Sequence, residues 1–315
     1  MGLGIKTRLR RTLTGSAPYR DLADQLQRIE TTGRIQAAFA RAAATKARMI
    51  DPADPETWEF AGFSQHGEDG IVDHLCGILA EPNRLFVEIG SADGLECCTA
   101  WLALARGYGG LMVEGDPGLA AMAHEVYEGR HRRSWSVYPR QAFATTETLP
   151  SLLKMCPCQD PDVFSLDIDG IDYWIASKAL ALGYRPRIWI VEYNSAFGPD
   201  RPVTVPYRPD FARWDAHESG LYYGVSIAAY RRLFEGYGYE FITVERSGTN
   251  AFFVDPARFP DGFAAGLKRV GFRENSGDCN GATKPRRDQD GHEMLPRRDW
   301  VVQLGMIDGM ELVEV

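Results

Sequence analysis

A doubly wound α/β sheet, mostly parallel and closed by an antiparallel hairpin, is the fold class this sequence predicts. Three observations lead to it. From residue 85 onward short apolar runs alternate with segments of helical period, the pattern of a parallel sheet covered by helices on both faces. The first run, LFVEIGSADG at residues 85 to 94, breaks at Gly90 and Gly94 ahead of a helical stretch. That reads as a buried strand ending in a tight turn, where free N–H groups and a bare glycine surface let a nucleotide-like ligand approach. The last two runs, Glu240 to Val244 and Ala251 to Val254, are joined by ERSGTN, which is too short for a parallel crossover and forces a hairpin.

The elements follow in order. Asp21 to Met49 has helical period through Leu22, Leu26, Ile29, Ile35 and Phe39, with a break expected at Gly33. Pro52 and Pro55 punctuate the chain, placing the boundary of a helical appendage (1–58) near residue 58. Strands are predicted over Leu85 to Ile89, Gly110 to Glu114, Ser134 to Tyr138, Val163 to Asp167 and Ile188 to Tyr193. Helices are predicted over Leu95 to Arg106, Pro117 to Glu128, Glu147 to Met155, Tyr173 to Leu182 and Ser226 to Tyr237. A proline-rich insert at 197–220 interrupts the pattern and is expected to fold over the strand ends as a lid. The main domain spans 59–274, a C-terminal extension 275–315, and the stretch from Gly277 to Asp290 is polar enough for a mobile loop.

Composition narrows the function. A formal charge of −8 and a pI near 5.4 argue against nucleic acid as the main partner. The charge is uneven: residues 1–50 carry ten Lys/Arg against three acids, a net +7 that leaves −15 for the rest. Leu3, Ile5, Leu9 and Leu13 lie among those basic residues, so the leader reads first as a solvated tail and second as a helix at an anionic membrane surface, with homodimer contact a further expectation. No run of 18 apolar residues is present. The six cysteines have no even framework, which implies reduced thiols and a cytoplasmic address, peripheral at the inner membrane face if the leader binds there. Cys156 and Cys158 are too close together to grip zinc and read as loop residues.

In open α/β sheets ligands bind beyond the carboxyl ends of the strands, and four such ends are acidic or polar here. The first carries Glu88, Gly90, Ser91 and Asp93; the second carries Glu114, about twenty residues on, where an acid accepts hydrogen bonds from both ribose hydroxyls. Together they imply an adenosine-containing cofactor. The third, FSLDIDGIDYW, carries Asp167 and Asp169, with Asp172 at the following helix start as an ordinary first-turn acid. The fourth, IWIVEYNS, carries Glu192 and Asn194. Two readings stand side by side: Asp167, Glu192 and Asn194 as oxygen ligands for Mg²⁺ or Ca²⁺, or Asp169 on the cofactor with Glu192 and Asn194 on substrate hydroxyls.

FSQHGEDGIV, LFVEIGSADGLECCTAWL, GLMVEGDP, FSLDIDGIDYW, IVEYNS, YYGVSIAAYRRL and SGTNAFFV occur in this order over residues 62–256. The series resembles the FkbM-type branch of the class I S-adenosylmethionine-dependent methyltransferases, whose Rossmann-like sheet also ends in an antiparallel hairpin. The resemblance implies S-adenosylmethionine as cofactor and O-methylation of a sugar or polyketide-type hydroxyl, and the expected acceptor is a hydroxyl of a sugar, glycan or glycosylated metabolite. It implies a cofactor set of Glu88, Gly90, Asp93 and Glu114, covered from above by Gln65 and Glu68. Ala92 stands where such loops often have glycine.

Methyl transfer to a hydroxyl needs in-line alignment and a proton acceptor, or a metal that lowers the hydroxyl's pKa. Candidate bases are Asp167, Glu192 and His217, the last in FARWDAHESGLYYG with Trp214, Tyr222 and Tyr223, and then His66 beside Gln65. His74, His124, His131 and His292 fall away from the strand ends. Two other classes fit less well: a nicotinamide-dependent oxidoreductase, which lacks its G-x-G-x-x-G, and a catalytically silent binding module recruited through the basic N-terminus.

Overall fold

The computed structural model of the chain describes residues 17–45, 48–128, 136–275, 286–287, 293–294 and 300–315. The leader at 1–15, His131, Cys279, His292 and most of 277–290 lie outside the described residues.

Helix α1 (Ala17–Thr45) is followed by a 3-10 turn at Pro55–Thr57 and by α2 (Glu68–Ile78). The alternating body comprises β1 (Leu85–Ile89), α3 (Ala100–Arg106), β2 (Gly109–Glu114), α4 (Pro117–Glu128), β3 (Val137–Gln141) and α5 (Leu149–Leu153). It continues through β4 (Val163–Leu166), α6 (Asp172–Ala181) and β5 (Ile188–Glu192). The insert holds β6 (Val203–Thr204) and α7 (Arg213–Ala216); α8 (Ile227–Gly236), β7 (Glu240–Val244) and β8 (Asn250–Val254) close the sheet. Beyond them come β9 (Arg286–Arg287), β10 (Glu293–Met294), α9 (Trp300–Met306) and β11 (Val313–Glu314).

The strand order is β3-β2-β1-β4-β5-β8-β7. The first five strands are parallel and β8 runs antiparallel to both β5 and β7. This is a Rossmann-like, doubly wound sheet with the expected closing hairpin. Because side chains alternate along a strand, the sheet divides the core in two. Val87, Leu111, Phe164 and Trp189 face the layer of α5, α6 and α8, packing with Leu149, Ile175 and Phe234. Phe86, Met112, Val163 and Ile190 face the other layer, packing with Ala38 and Ala42 of α1, Leu75 of α2 and Leu102 of α3.

Several element boundaries move for identifiable reasons. Helix α1 runs unbroken through Gly33; its neighbours' propensity and the burial of Ala38 and Ala42 outweigh the roughly 1 kcal/mol that a mid-helix glycine costs. Helix α3 begins at Ala100 rather than Leu95, because side-chain carboxylates take the N–H groups of residues 95, 96, 98 and 99. Strand β3 lies at 137–141 rather than 134–138 and holds Pro139, tolerated because β3 is an edge strand.

The order reverses between β1 and β4, so their carboxyl ends diverge and leave a crevice. The insert lies over this end. Its Phe197, Val203 and Val205 pack with Tyr222 and with Ile307 from the C-terminal segment, and β11 pairs with β6.

Candidate active site at the strand ends

A cleft of about 750 Å³ opens over the carboxyl ends of β1, β2, β4 and the insert, within the range of roughly 300–1,000 Å³ usual for small-molecule sites. Its walls bring together Gln65, His66 and Glu68, the β1 turn, Glu114, Phe143, Asp167, Asp169 and the insert residues Phe211, Arg213 and Trp214.

The β1 turn is built by its carboxylates. Glu88 is buried and accepts from the N–H groups of Cys98 (2.9 Å) and Thr99 (3.3 Å) and from the Thr99 hydroxyl. Burial pushes its pKa up, against the pull of those donors. Gly90 has φ +86°, and a Cβ there would stand 1.5 Å from the Asp167 carbonyl oxygen. Glycine is therefore required by the approach of the β4 end, in addition to any ligand. Ala92 takes φ +45° and donates its N–H to Glu114 Oε2 at 2.8 Å.

Glu114 closes β2. Its Oε1 accepts from Asp116 N at 2.8 Å, so each carboxylate oxygen has one backbone donor and keeps a lone pair. Half-burial raises its pKa. Glu114 lines the cleft, where a diol would find two acceptors.

Asp93 departs from expectation. It does not line the cleft: Oδ1 accepts from Leu95 and Glu96 N–H at 2.9 Å each, and Oδ2 pairs with Arg34 of α1 at 2.5 Å. Those donors hold its carboxyl below the usual range against the opposing cost of burial. Ser91 also turns away; its hydroxyl is buried without a hydrogen-bond partner. Both are parts of the turn's frame. Gln65 and Glu68 do reach the cleft, Gln65 donating to Glu96 at 2.7 Å and Glu68 accepting from Asn250 Nδ2 at 2.9 Å.

Asp167, Asp169 and Glu192 present carboxylate oxygens that all lie within 4.8 Å of one another. Burial and then neighbouring carboxylates push Asp167 up to about 8 and Glu192 well above the usual range. Like charges at this separation are held together by a shared proton or a cation. The set is all hard oxygen, and opposed ligands on Mg²⁺ or Ca²⁺ stand about 4 to 5 Å apart, twice the metal–oxygen distance, so the residues fit such a cation. Tyr230 adds a fully buried hydroxyl with no hydrogen-bond partner, placed in the fields of Asp172, Glu192 and Asp167.

The third member of the group differs from the expected one. Asn194 is committed to the backbone: its Oδ1 caps Ala196 N at 2.9 Å, and Nδ2 donates to the carbonyls of Leu221 (2.7 Å) and Tyr223 (2.9 Å). Asp169, turned by φ +54°, is the third member of the carboxylate group and also lines the cleft. Asp172 accepts from Ile168 and Gly170 N–H at 2.9 and 2.8 Å, shaping the turn as a structural acid. His217 is held in the insert by Ser219, whose hydroxyl lies 2.8 Å from Nδ1, and is not among the residues lining the cleft. His66, by contrast, is on the wall.

Two features were not legible in advance. Arg213, within the same insert, places Nη1 2.5 Å from Asp169 Oδ1 and stacks 3.7 Å over the Tyr223 ring. Phe143, just past β3, lines the cleft with its ring 70% exposed. An arginine next to Trp214 and an aromatic after a strand end were the only available signals.

No protein-family model matches the sequence. No curated protein matches it either. Among solved structures, the chain is similar to the magnesium protoporphyrin IX methyltransferase of Synechocystis PCC 6803 with bound SAM, at 13% identity over 59% of this chain and 76% of that one, TM-score 0.35. It is similar to an O-methyltransferase from Bacillus cereus in complex with SAH, at 18% identity over 70% and 89%, TM-score 0.39. A third is the N-terminal domain of EvdMO1 with SAH bound, at 15% identity over 66% and 81%, TM-score 0.36.

Proposed function

We propose that the chain is an S-adenosylmethionine-dependent O-methyltransferase of the FkbM type, acting on a hydroxyl of a sugar, glycan or glycosylated metabolite with the aid of a divalent cation. The observation that carries this is one cleft lined by the Glu114, Asp167 and Asp169 carboxylates, the last two clustered with the buried Glu192.

Glu114 would hold the ribose hydroxyls, Gly90 would give the bare approach beside them, and Phe143 offers an exposed ring to an adenine face. Gln65 and His66 cover the opening. S-adenosylmethionine supplies the electrophilic methyl group when bound. The protein's part is alignment and proton removal: Asp167, pushed by burial up to about 8, would be a base of neutral-range strength, with Glu192, raised by the same cause, beside it in the cluster. A divalent cation held by Asp167, Asp169 and Glu192 would supply Lewis-acid polarisation of the acceptor hydroxyl. The insert's Phe211 and Trp214 give apolar faces on which a sugar ring can lie.

Calorimetric titration with S-adenosylhomocysteine tests the cofactor assignment; absence of binding with and without Mg²⁺ removes it. Product mass spectra from panels of glycans incubated with the cofactor test the acceptor class, where a gain of one methylene on an alcohol oxygen is expected.

A further inference from the structure

Arg213 belongs to the insert yet reaches the acid cluster. Its Nε donates to Gly220 O at 2.6 Å, its Nη1 pairs with Asp169, and its plane lies 3.7 Å over Tyr223 and 5.5 Å over Trp214. Tyr223 in turn donates to Glu192 Oε1 at 3.3 Å. A single guanidinium thus ties the insert to one acid directly and to a second through a tyrosine. One guanidinium serves a group of three clustered acids, and Tyr230, close enough to feel Glu192 and Asp167, has a buried hydroxyl without a partner.

We propose that Arg213 is a resident counter-cation that latches the insert onto Asp169, and that a divalent cation taking the Asp167, Asp169 and Glu192 carboxylates displaces it. This rests on the metal-assisted reading above. The cation and the guanidinium compete for the Asp169 carboxylate, and two positive groups at that carboxylate repel each other. Cation binding therefore frees the arm carrying Trp214, coupling occupancy of the cluster to the shape of the acceptor side of the cleft. The arginine acts by positioning the insert, and it touches no reacting atom in this arrangement.

Calorimetric titration of the full chain with Ca²⁺, without cofactor, separates the outcomes. Arg213→Gln is expected to bind Ca²⁺ about fivefold tighter than the unaltered chain, as expected when a competing ion pair is lost, while Arg213→Lys stays close to it. Equal or weaker binding in Arg213→Gln overturns the latch and leaves the cation site standing. No Ca²⁺ binding by either protein overturns both. Tryptophan emission gives a second readout that needs no arginine variant: Ca²⁺ should shift the emission of the unaltered chain and not that of Trp214→Phe. Binding without that shift overturns displacement.

Discussion

At the scale of single residues, the β1 turn shows which features are dictated by chain geometry and which by a ligand. Gly90 has no room for a Cβ beside the Asp167 carbonyl, so Gly90→Ala should abolish folding, seen as loss of a cooperative thermal transition. Ala92 lies in left-handed space, a strain of about 1–2 kcal/mol, against roughly 0.5–1 kcal/mol for the extra freedom of an unfolded glycine. Ala92→Gly should therefore stabilise the protein by roughly 0.5–1 kcal/mol, measured as a higher denaturation midpoint. Glu114 is a different case, since its remaining lone pairs face the cleft. Glu114→Gln should weaken S-adenosylhomocysteine binding about ten- to hundredfold, the worth of a hydrogen bond to a charged group, and should lower stability by about 1–3 kcal/mol, because its amide nitrogen cannot accept from the Ala92 or Asp116 N–H. The same geometry explains why Asp169 rather than Asn194 joins Asp167 and Glu192. Both sit just past strand ends in the sequence, and only the left-handed turn at Asp169 and the 3-10 cap at Asn194 set where each side chain goes.

At the scale of elements, the insert is held from three sides. Tyr207 pairs with Glu147 and Thr146 beyond β3, Trp174 of α6 donates to Val205 O, and β11 adds a short strand to β6. The C-terminal segment buries Ile307 against Phe197, Val203, Val205 and Tyr222. A chain ending at residue 299 should keep S-adenosylhomocysteine binding and lose acceptor turnover, because no residue of 300–315 lines the cleft while the insert loses its packing. Retained turnover in methyl-transfer assays would show that the insert stands without it. Helix α1 is tied in the same manner, by Arg34 to Asp93 and by Arg41 to the Gly62 carbonyl. The periodicity of α1 and the alternation of the body were readable because they repeat. The partners of α9 and β11 were not, since a two-residue strand carries no periodic signal.

At the scale of the whole molecule, buried acids set the pH response. Burial pushes Asp69 and Glu59 up to about 7 each, in spite of the backbone donors around them. For an acid raised in this way the folded state binds more protons than the unfolded one between the unfolded pKa, about 4, and about 7. Stability is thus full below that window and falls as pH rises through it. Glu59 alone accounts for roughly 3 kcal/mol of that decline. Denaturant melts at pH 5 and pH 8 should show the loss, and Glu59→Gln should flatten it; a chain more stable at pH 8 would contradict the assignment. The described helices include none long and apolar enough to cross a membrane.

The sequence by itself determined the sheet, its closing hairpin and the strand ends that carry acids. These depend on apolar periodicity, glycine position and loop length, which are local properties of a chain. The tertiary structure alone decided which of those acids meet. Asp93 and Glu88 turned inward to build the loop, Asp169 joined Asp167 and Glu192, and Arg213 crossed from the insert to pair with Asp169, 44 residues away in the chain. Side-chain direction at a strand end depends on a few backbone dihedrals and on which distant donors are in reach, and neither is written in residue spacing.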